Sequence, residues 1–388
     1  MHRKSSHVLK RLFTVGFLFS TQVASTVYLN SSFLANRIPE SQVGFLYIIS
    51  SLISLGGMFG IPIVLQRIGS RILGSILAIL IIAGLVGLRS VGVPTWLLGA
   101  SFIIYLSAQT LLFLVIDVLI EHFSDHASMG RIRGMYLTAC NIGFMIAPLV
   151  AGFLADRLGY GMLYTIAIAF VIPVWIIILR LPSIRPTQEH HSGIKKHLQT
   201  FLQSKNIRGV YVANFLLQFF YAWMVIYTPI YLHEHLGLAW DTIGLMFTIM
   251  LSAFVILQTP LGYLADRILG EKEILVGGFL VMGLSTLIFG TANLALFSLS
   301  GIAILLFITR IGASTIEVAT ESYFFKHIAQ SDATCVGFFR NTYPIAYIIG
   351  PLLASALLQF IPIQSLFTIL GIVCILGVFT VIKIKDTK

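Results

Sequence analysis

Charged residues are scarce in this chain of 388 residues. Asp, Glu, Lys and Arg make up 10% of the sequence, whereas 57% of it is hydrophobic. A typical soluble domain has about 25% charged residues, so this composition excludes an ordinary soluble globule. The hydrophobic residues form runs of about 20, which is long enough to cross a bilayer as a helix. Because the runs are continuous rather than alternating, they favour helices over barrel strands.

Cysteine and motifs for cofactors are also scarce. Three cysteines, Cys140, Cys335 and Cys374, are scattered along the chain without metal-ligand spacing, and we interpret them as small apolar fillers. The sequence contains no phosphate-binding glycine loop and no Ser/His/Asp pattern. We therefore expect no metal, no cofactor and no enzymatic activity. Any energy used would come from an ion gradient or from the gradient of a substrate.

The hydrophobic pattern predicts an all-α, polytopic membrane protein with twelve spans. The predicted spans are residues 10–34, 42–65, 71–89, 95–121, 134–155, 162–181, 208–232, 240–265, 272–291, 294–323, 336–360 and 364–382. A polar stretch separates six spans from the other six. We therefore predict an N-terminal bundle over 1–181, a cytoplasmic linker over 182–207 and a C-terminal bundle over 208–388.

Lysine and arginine are distributed unevenly between the two predicted sides of the membrane. Of the 25 such residues, only Arg37, Arg89 and Arg157 fall in predicted outer segments, and Arg310 and Arg340 lie within spans. Since cytoplasmic segments carry an excess of positive charge, we expect both termini to be cytoplasmic and the protein to lie in the plasma membrane. The net charge of +10 then reflects this bias and contact with anionic lipid, not nucleic-acid binding.

Four acidic residues in the apolar spans indicate an internal duplication. Asp117 and Glu317 are two hundred positions apart, and so are Glu121 and Glu321. Each pair is spaced i, i+4, so its members share one face of a helix. A charge at the centre of a membrane helix costs about 2.5–3.5 kcal/mol on insertion scales. Acids placed at matching positions of both halves therefore indicate a function inside the protein.

The chain resembles the major facilitator superfamily over its full length. The best local match is Gly262-x-x-x-Asp266-Arg267, which is similar to the family's cytoplasmic signature between spans 8 and 9. The equivalent loop of the first half departs from that pattern, with Pro62 and Gln66 at the Gly and Asp positions. The resemblance implies two pseudo-symmetric six-helix halves and transport of a small solute by alternating access. It also implies that Gly262, Asp266 and Arg267 belong to a cytoplasmic gate.

The fifth span carries a second element similar to one in the family. Gly143-x-x-x-Ala147-Pro148-x-x-Ala151-Gly152 resembles an element associated with proton-linked exporters, with two alanines in place of glycine. Close helix packing by small residues is the alternative interpretation, and Gly350-Pro351 repeats the pattern in the second half. We expect helix bends at three prolines. They are Pro148, Pro344 and Pro351.

Two roles remain open for the four acids, which the resemblance places on cavity-lining spans 4 and 10. Asp117 and Glu317 would exchange protons as the protein switches faces, or would pair with arginines. Glu121 and Glu321, nearer the span ends, are better suited to salt bridges of the cytoplasmic gate. The candidate arginine partners are Arg131, Arg133, Arg267 and Arg340.

Arg310 is the leading candidate for binding a substrate or balancing charge. It lies near the middle of the tenth span, seven residues before Glu317, where a lipid-facing arginine would be very costly. A fixed structural ion pair is the alternative. Further candidates are polar or aromatic side chains on spans 1, 7 and 11, which would contact substrate or only pack. They are Gln22, Gln218, Trp223, Tyr227 and Asn341.

The sequence thus predicts a secondary transporter whose partners are a small-molecule substrate, protons and the lipid bilayer. We favour proton-driven export, as an antiporter, of an amphipathic, drug-like compound. Uptake of a sugar or organic anion, by symport or facilitated diffusion, is the first alternative. A receptor or scaffold that uses a transporter fold without transport is the second. We expect a monomer, because the two halves already supply the interface of the site.

Overall fold

The computed structural model describes residues 2–90, 92–123, 129–185, 204–267, 270–327 and 339–384. These residues form helices and connecting turns and include no strand. The helices are α1 (His2–Val27), α2 (Asn30–Ala35), α3 (Glu40–Arg89), α4 (Thr95–Phe123), α5 (Met129–Arg180), α6 (Lys205–Ile230), α7 (Trp240–Arg267), α8 (Glu271–Thr291), α9 (Leu299–His327), α10 (Thr342–Leu357) and α11 (Ile363–Val381). A π-helical turn, Tyr231–His235, continues α6, and Leu294–Leu296 forms a 3₁₀ turn.

Ten segments of the described chain are long and apolar enough to cross a membrane. One of them, Thr138–Arg180, contains two of the predicted spans, which are separated at Gly159. Gly159 has φ 74°, and Gly69, which divides α3 in the same way, has φ 80°. Glycine adopts this left-handed conformation without the cost that a side chain brings. With the shorter apolar helix Thr342–Leu357, these segments account for the twelve predicted spans, and the all-α membrane class is confirmed.

The distribution of side chains is the reverse of that in a soluble protein. Large apolar side chains are exposed along the helices, as at Phe59 and Phe153, whereas Gln22, Asn30 and Arg310 are buried. Exposed apolar surface on this scale is stable in lipid, where polar groups must find partners inside the protein. The helices therefore bury their polar residues and leave apolar ones for the bilayer.

The described residues belong to two compact units. Unit 1 comprises Met1–Thr187 and Gly237–Thr248, and unit 2 comprises Gln188–Leu236 and Ile249–Lys388. The first part of α7 thus belongs to unit 1 and the rest of the helix to unit 2. Most of the predicted linker, residues 186–203, lies outside the described residues, so the predicted domain boundaries stay a prediction.

In unit 1, α1 packs on α5 and α3 packs on α4. Hydrogen bonds from arginine side chains to backbone carbonyl groups join the start of α1 and the break in α3 to the end of α5. Arg11 donates to the carbonyl oxygen of Arg180 at 3.3 Å, and Arg71 donates to that of Leu181 at 2.8 Å. These interactions place three separate basic segments at one end of the unit.

In unit 2, α8 packs between α9 and α11, and α6 contacts α9, α10 and α11. Small residues permit the closest approaches. A Cβ atom built on Gly283 of α8 would lie 3.1 Å from the carbonyl oxygen of Gly371 in α11. This close packing supports the faces of α6 and α9 that carry the candidate site.

Candidate functional site

Arg310 is buried on α9, with 1% of its surface exposed. Its guanidinium carbon lies 5.0 Å from the ring centre of Phe220 and 5.5 Å from that of Tyr221, both on α6. Among the described residues, Nε and Nη1 have no hydrogen-bond partner. The ion pair with Glu317 that we considered is not formed, because the structure shows no such contact within 4.0 Å. The charge is stabilised by the two aromatic faces.

Glu317 lies on the same helix, two turns after Arg310, and is half-buried. The hydroxyl group of Tyr221 donates a hydrogen bond to Oε2 of Glu317 at 2.8 Å. The same tyrosine therefore contacts Arg310 through its ring and Glu317 through its hydroxyl group. Arg310, Glu317, Phe220 and Tyr221 form one cluster between α6 and α9, which we call the α6–α9 cluster.

The predicted aromatic residues of α6 mostly pack against their own unit. Trp223 is buried, and its indole N–H donates to the carbonyl oxygen of Gly350 in α10 at 2.7 Å. Tyr227 is fully buried, and its hydroxyl group has no partner among the described residues. Gln218 is half-buried one turn before Tyr221. The packing alternative is favoured for Trp223.

Asn341 precedes the first turn of α10, where the helical conformation is interrupted by a turn. Pro344 follows three residues later and has no N–H to donate to the carbonyl group of Arg340. The interruption therefore lies where a proline-induced bend was expected. Nearby, the amide of Asn214 on α6 donates to the hydroxyl group of Thr342 at 2.7 Å.

Glu321 and Arg340 form an ion pair in unit 2, with Oε1 and Nη1 separated by 2.9 Å. Their side chains are 25% and 33% exposed, so the pair lies towards an end of its helices. The ion pair is formed, and its predicted role in a gate stays a prediction. Glu317, one turn deeper on α9, is bound by a phenol instead of a guanidinium.

Unit 1 contains a buried polar network that connects α1 and α4. Gln22 donates to the hydroxyl group of Tyr105 at 3.1 Å, and the Thr26 hydroxyl group lies 2.7 Å from the same atom. Gln109 is one turn from Tyr105, and its Oε1 has no partner among the described residues, as is also true of Oε1 of Gln22. Sequence reasoning identified Gln22 but missed Tyr105 and Gln109. Their i, i+4 spacing on an apolar span was the available signal.

Asp117 is half-buried on α4, and no hydrogen-bond or ion-pair partner is found for it among the described residues. The matching acids of the two halves therefore differ, because Glu317 has a tyrosine partner. For six predicted gate residues the structure describes only the backbone, which lies on α4, α5 or α7. They are Glu121, Arg131, Arg133, Gly262, Asp266 and Arg267.

The Major Facilitator Superfamily model matches residues 12–243 and 210–388 of this chain. The chain belongs to the major facilitator superfamily. It is similar to the "Uncharacterized MFS-type transporter YcaD" of Salmonella dublin, with 22% identity over 330 residues that cover 83% of this chain and 81% of the relative. It is also similar to the "Uncharacterized MFS-type transporter MJ1560" of Methanocaldococcus jannaschii, with 23% identity over 315 residues, covering 75% and 80%.

Solved structures of transporters share the superfamily fold with this chain. The nucleoside transporter NupG superposes with a TM-score of 0.79 at 13% identity, covering 96% of this chain and 98% of NupG. A peptide transporter POT in complex with alafosfalin gives a TM-score of 0.75 at 13% identity, covering 96% and 93%. At these identities the similarity shows the fold alone. Together with the family match, it makes this chain a multi-pass membrane transporter of the superfamily.

The element of the fifth span that resembles a superfamily exporter motif makes close packing contacts with neighbouring helices. A Cβ atom on Gly143 would lie 2.6 Å from Oγ1 of Thr21 in α1, and one on Gly152 would collide with the carbonyl oxygen of Trp240 at the start of α7. Gly244 approaches the backbone of Pro148 equally closely. Small residues are therefore needed here for helix contact. Two of the prolines at which we expected bends, Pro148 and Pro351, lie inside α5 and α10.

Proposed function

We propose that this protein is a proton-coupled secondary transporter that moves a small amphipathic solute by alternating access. The observation that carries this proposal is Glu317, a half-buried acid in a membrane span whose hydrogen-bond partner is the hydroxyl group of Tyr221. An ionisable residue placed inside a membrane domain is costly, so a functional role is its default interpretation. Among the described residues, Glu317 forms no ion pair with an arginine or lysine, and a carboxyl group held by a phenol can bind and release a proton.

The direction that we propose is export of the solute in exchange for protons. It is supported by the resemblance of the Gly143–Gly152 element to that of proton-linked exporters. Symport of an organic anion is the second candidate function. It is favoured by the buried guanidinium of Arg310, whose Nε and Nη1 have no partner among the described residues.

Purified protein in proteoliposomes containing a pH-sensitive dye tests the coupling. We expect solute-dependent proton movement with the wild-type protein and none with Glu317→Gln, which keeps the size of the side chain but cannot ionise. Solute exchange at equal concentrations should continue in that variant, because exchange does not require the proton to leave. Glu273→Gln, which changes an exposed acid at the start of α8, is the matched control and should behave like the wild type.

The double variant Asp117→Asn, Glu317→Gln decides whether the carboxyl groups matter at all. Unaltered proton movement in this variant would refute coupling through the acids of α4 and α9. Tracer flux down a solute gradient without any proton movement in the wild type would make the protein a facilitator.

A further inference from the structure

The α6–α9 cluster contains a buried guanidinium group, that of Arg310, that forms no ion pair with any described residue. Burial of an ionised group is strongly unfavourable unless it is paired and hydrogen-bonded. Arg310 is 1% exposed, yet Nε and Nη1 lack hydrogen-bond partners among the described residues. The aromatic rings of Phe220 and Tyr221 stabilise the charge through their faces, but they do not accept hydrogen bonds from its N–H groups in the way an oxygen does.

A second unpartnered donor lies on the same face of α9. Ser314 is four residues after Arg310, fully buried, and its Oγ has no partner among the described residues. A guanidinium group has five N–H donors and no acceptor, and a serine hydroxyl group can donate as well. Two donors with no acceptor, one turn apart on a helix, are complementary to a group that carries several acceptor oxygens and a negative charge.

We propose that Arg310 and Ser314 bind the anionic group of an organic substrate, a carboxylate or a sulfonate. This inference rests on the proposed transport function and specifies its substrate class. The planar guanidinium matches such a group with two parallel hydrogen bonds. The aromatic surroundings supplied by Phe220 and Tyr221 favour an apolar body over a polyhydroxylated one, so the substrate is an organic acid and not a sugar.

The neighbouring acid limits the substrate to one negative charge. Glu317 is seven residues from Arg310, which is about 10 Å along the helix axis. A second anionic group on the substrate would approach this carboxylate, and like charges repel strongly at low dielectric constant. The site therefore accepts amphipathic monoanions and rejects dianions of similar size.

Thermal unfolding of the detergent-purified protein with matched pairs of probes tests the site. The pairs are benzoate with benzamide, hexanoate with hexanamide, and benzenesulfonate with benzenesulfonamide, because the members of each pair differ mainly in charge. We expect at least one anion to raise the unfolding temperature of the wild type in a saturable manner, and its neutral partner to leave it unchanged. Phthalate, a dianion, should be without effect.

Variants of Arg310 and Ser314 test whether these two residues cause the anion-dependent rise in unfolding temperature. Arg310→Gln should abolish it, and Ser314→Ala should weaken binding of the anion by about tenfold through loss of one hydrogen bond to a charged group. Arg310→Lys, which keeps the charge but loses the planar fork, should also weaken binding by about tenfold. If Arg310→Gln does not fold, these two variants carry the test. Arg89→Gln, at an exposed arginine that ends α3, is the control and should bind like the wild type.

The inference is overturned if no anion of the panel stabilises the wild type, or if the Arg310 and Ser314 variants are stabilised as much as the wild type. Its failure is separable from failure of the proposed function. Proton movement driven by neutral solutes and unaffected by Arg310→Lys would retain the coupling and remove the anion site. Saturable anion binding without proton movement in proteoliposomes would retain the site and remove the coupling.

Discussion

At the scale of single residues, the two acids on α9 differ in what binds them. Glu321 forms an ion pair with Arg340, and Glu317 accepts from the hydroxyl group of Tyr221. An ion pair needs the carboxylate to stay charged, whereas a carboxyl group next to a phenol is hydrogen-bonded in either protonation state. The acids were predictable from their two-hundred-residue offset. Their partners were not, because which side chain of α6 faces α9 depends on helix rotation within the unit.

The contribution of the Glu321–Arg340 pair to stability and to gating can be tested by substitution. Because both side chains are a quarter to a third exposed, we expect a coupling energy of only about 0.2–1 kcal/mol between them. Glu321→Ala and Arg340→Ala should each lower the thermal unfolding midpoint, and the double variant should lose less than the sum. A charge-reversed pair, Glu321→Arg with Arg340→Glu, should recover part of the transport rate lost in either single reversal. If the effects of the two substitutions are strictly additive in both thermal unfolding and transport rate, the pair is not part of a gate.

At the scale of helices, the small-residue element of α5 shows how a sequence pattern arises from close helix packing. The sequence predicted a small-residue element with Pro148 in its centre, and the structure places Gly143 against α1 and Gly152 against the start of α7. Asp156, one turn further on, accepts from the backbone N–H of Asp241 at 2.6 Å and so caps α7. Small residues were readable from the sequence. The helices that they contact were not, because contacts between residues so far apart in the chain leave no local periodicity.

Glycine-to-valine substitutions distinguish the packing role from a role in coupling. Gly152→Val would force its side chain into the backbone of Trp240 and Gly244, and overpacking of this kind costs about 1–3 kcal/mol. We expect a lower unfolding temperature and a reduced yield of monodisperse protein. Gly56→Val changes a helical glycine of α3 that has nothing within 4 Å of a built Cβ atom, so it should leave stability unchanged. Equal stability of the two variants, with transport lost only in Gly152→Val, would support the exporter interpretation.

At the scale of the molecule, the basic segments of unit 1 lie in two groups, one at each end of the unit. Arg11, Arg71 and the end of α5 are joined by hydrogen bonds at one end. At the other, Phe33 packs on Tyr160 with ring centres 5.1 Å apart, and a Cβ atom on Gly161 would lie 3.6 Å from the carbonyl oxygen of Arg89. The sequence had assigned the first group to the cytoplasm and Arg37 and Arg89 to the outside. The structure groups the same residues together, because counting charges along the chain needs only the number of spans; which end is cytoplasmic stays a prediction.

Orientation in the membrane can be tested at two exposed positions without changing any charge. In a variant without native cysteines, Asn36→Cys lies just after α2 and Ser183→Cys just after α5, and both side chains are exposed. Because positive residues are retained on the cytoplasmic side, a membrane-impermeant maleimide added to intact cells should label Asn36→Cys and spare Ser183→Cys. Permeabilised cells should label both, which controls for reactivity. The opposite pattern in intact cells would invert the predicted topology of unit 1.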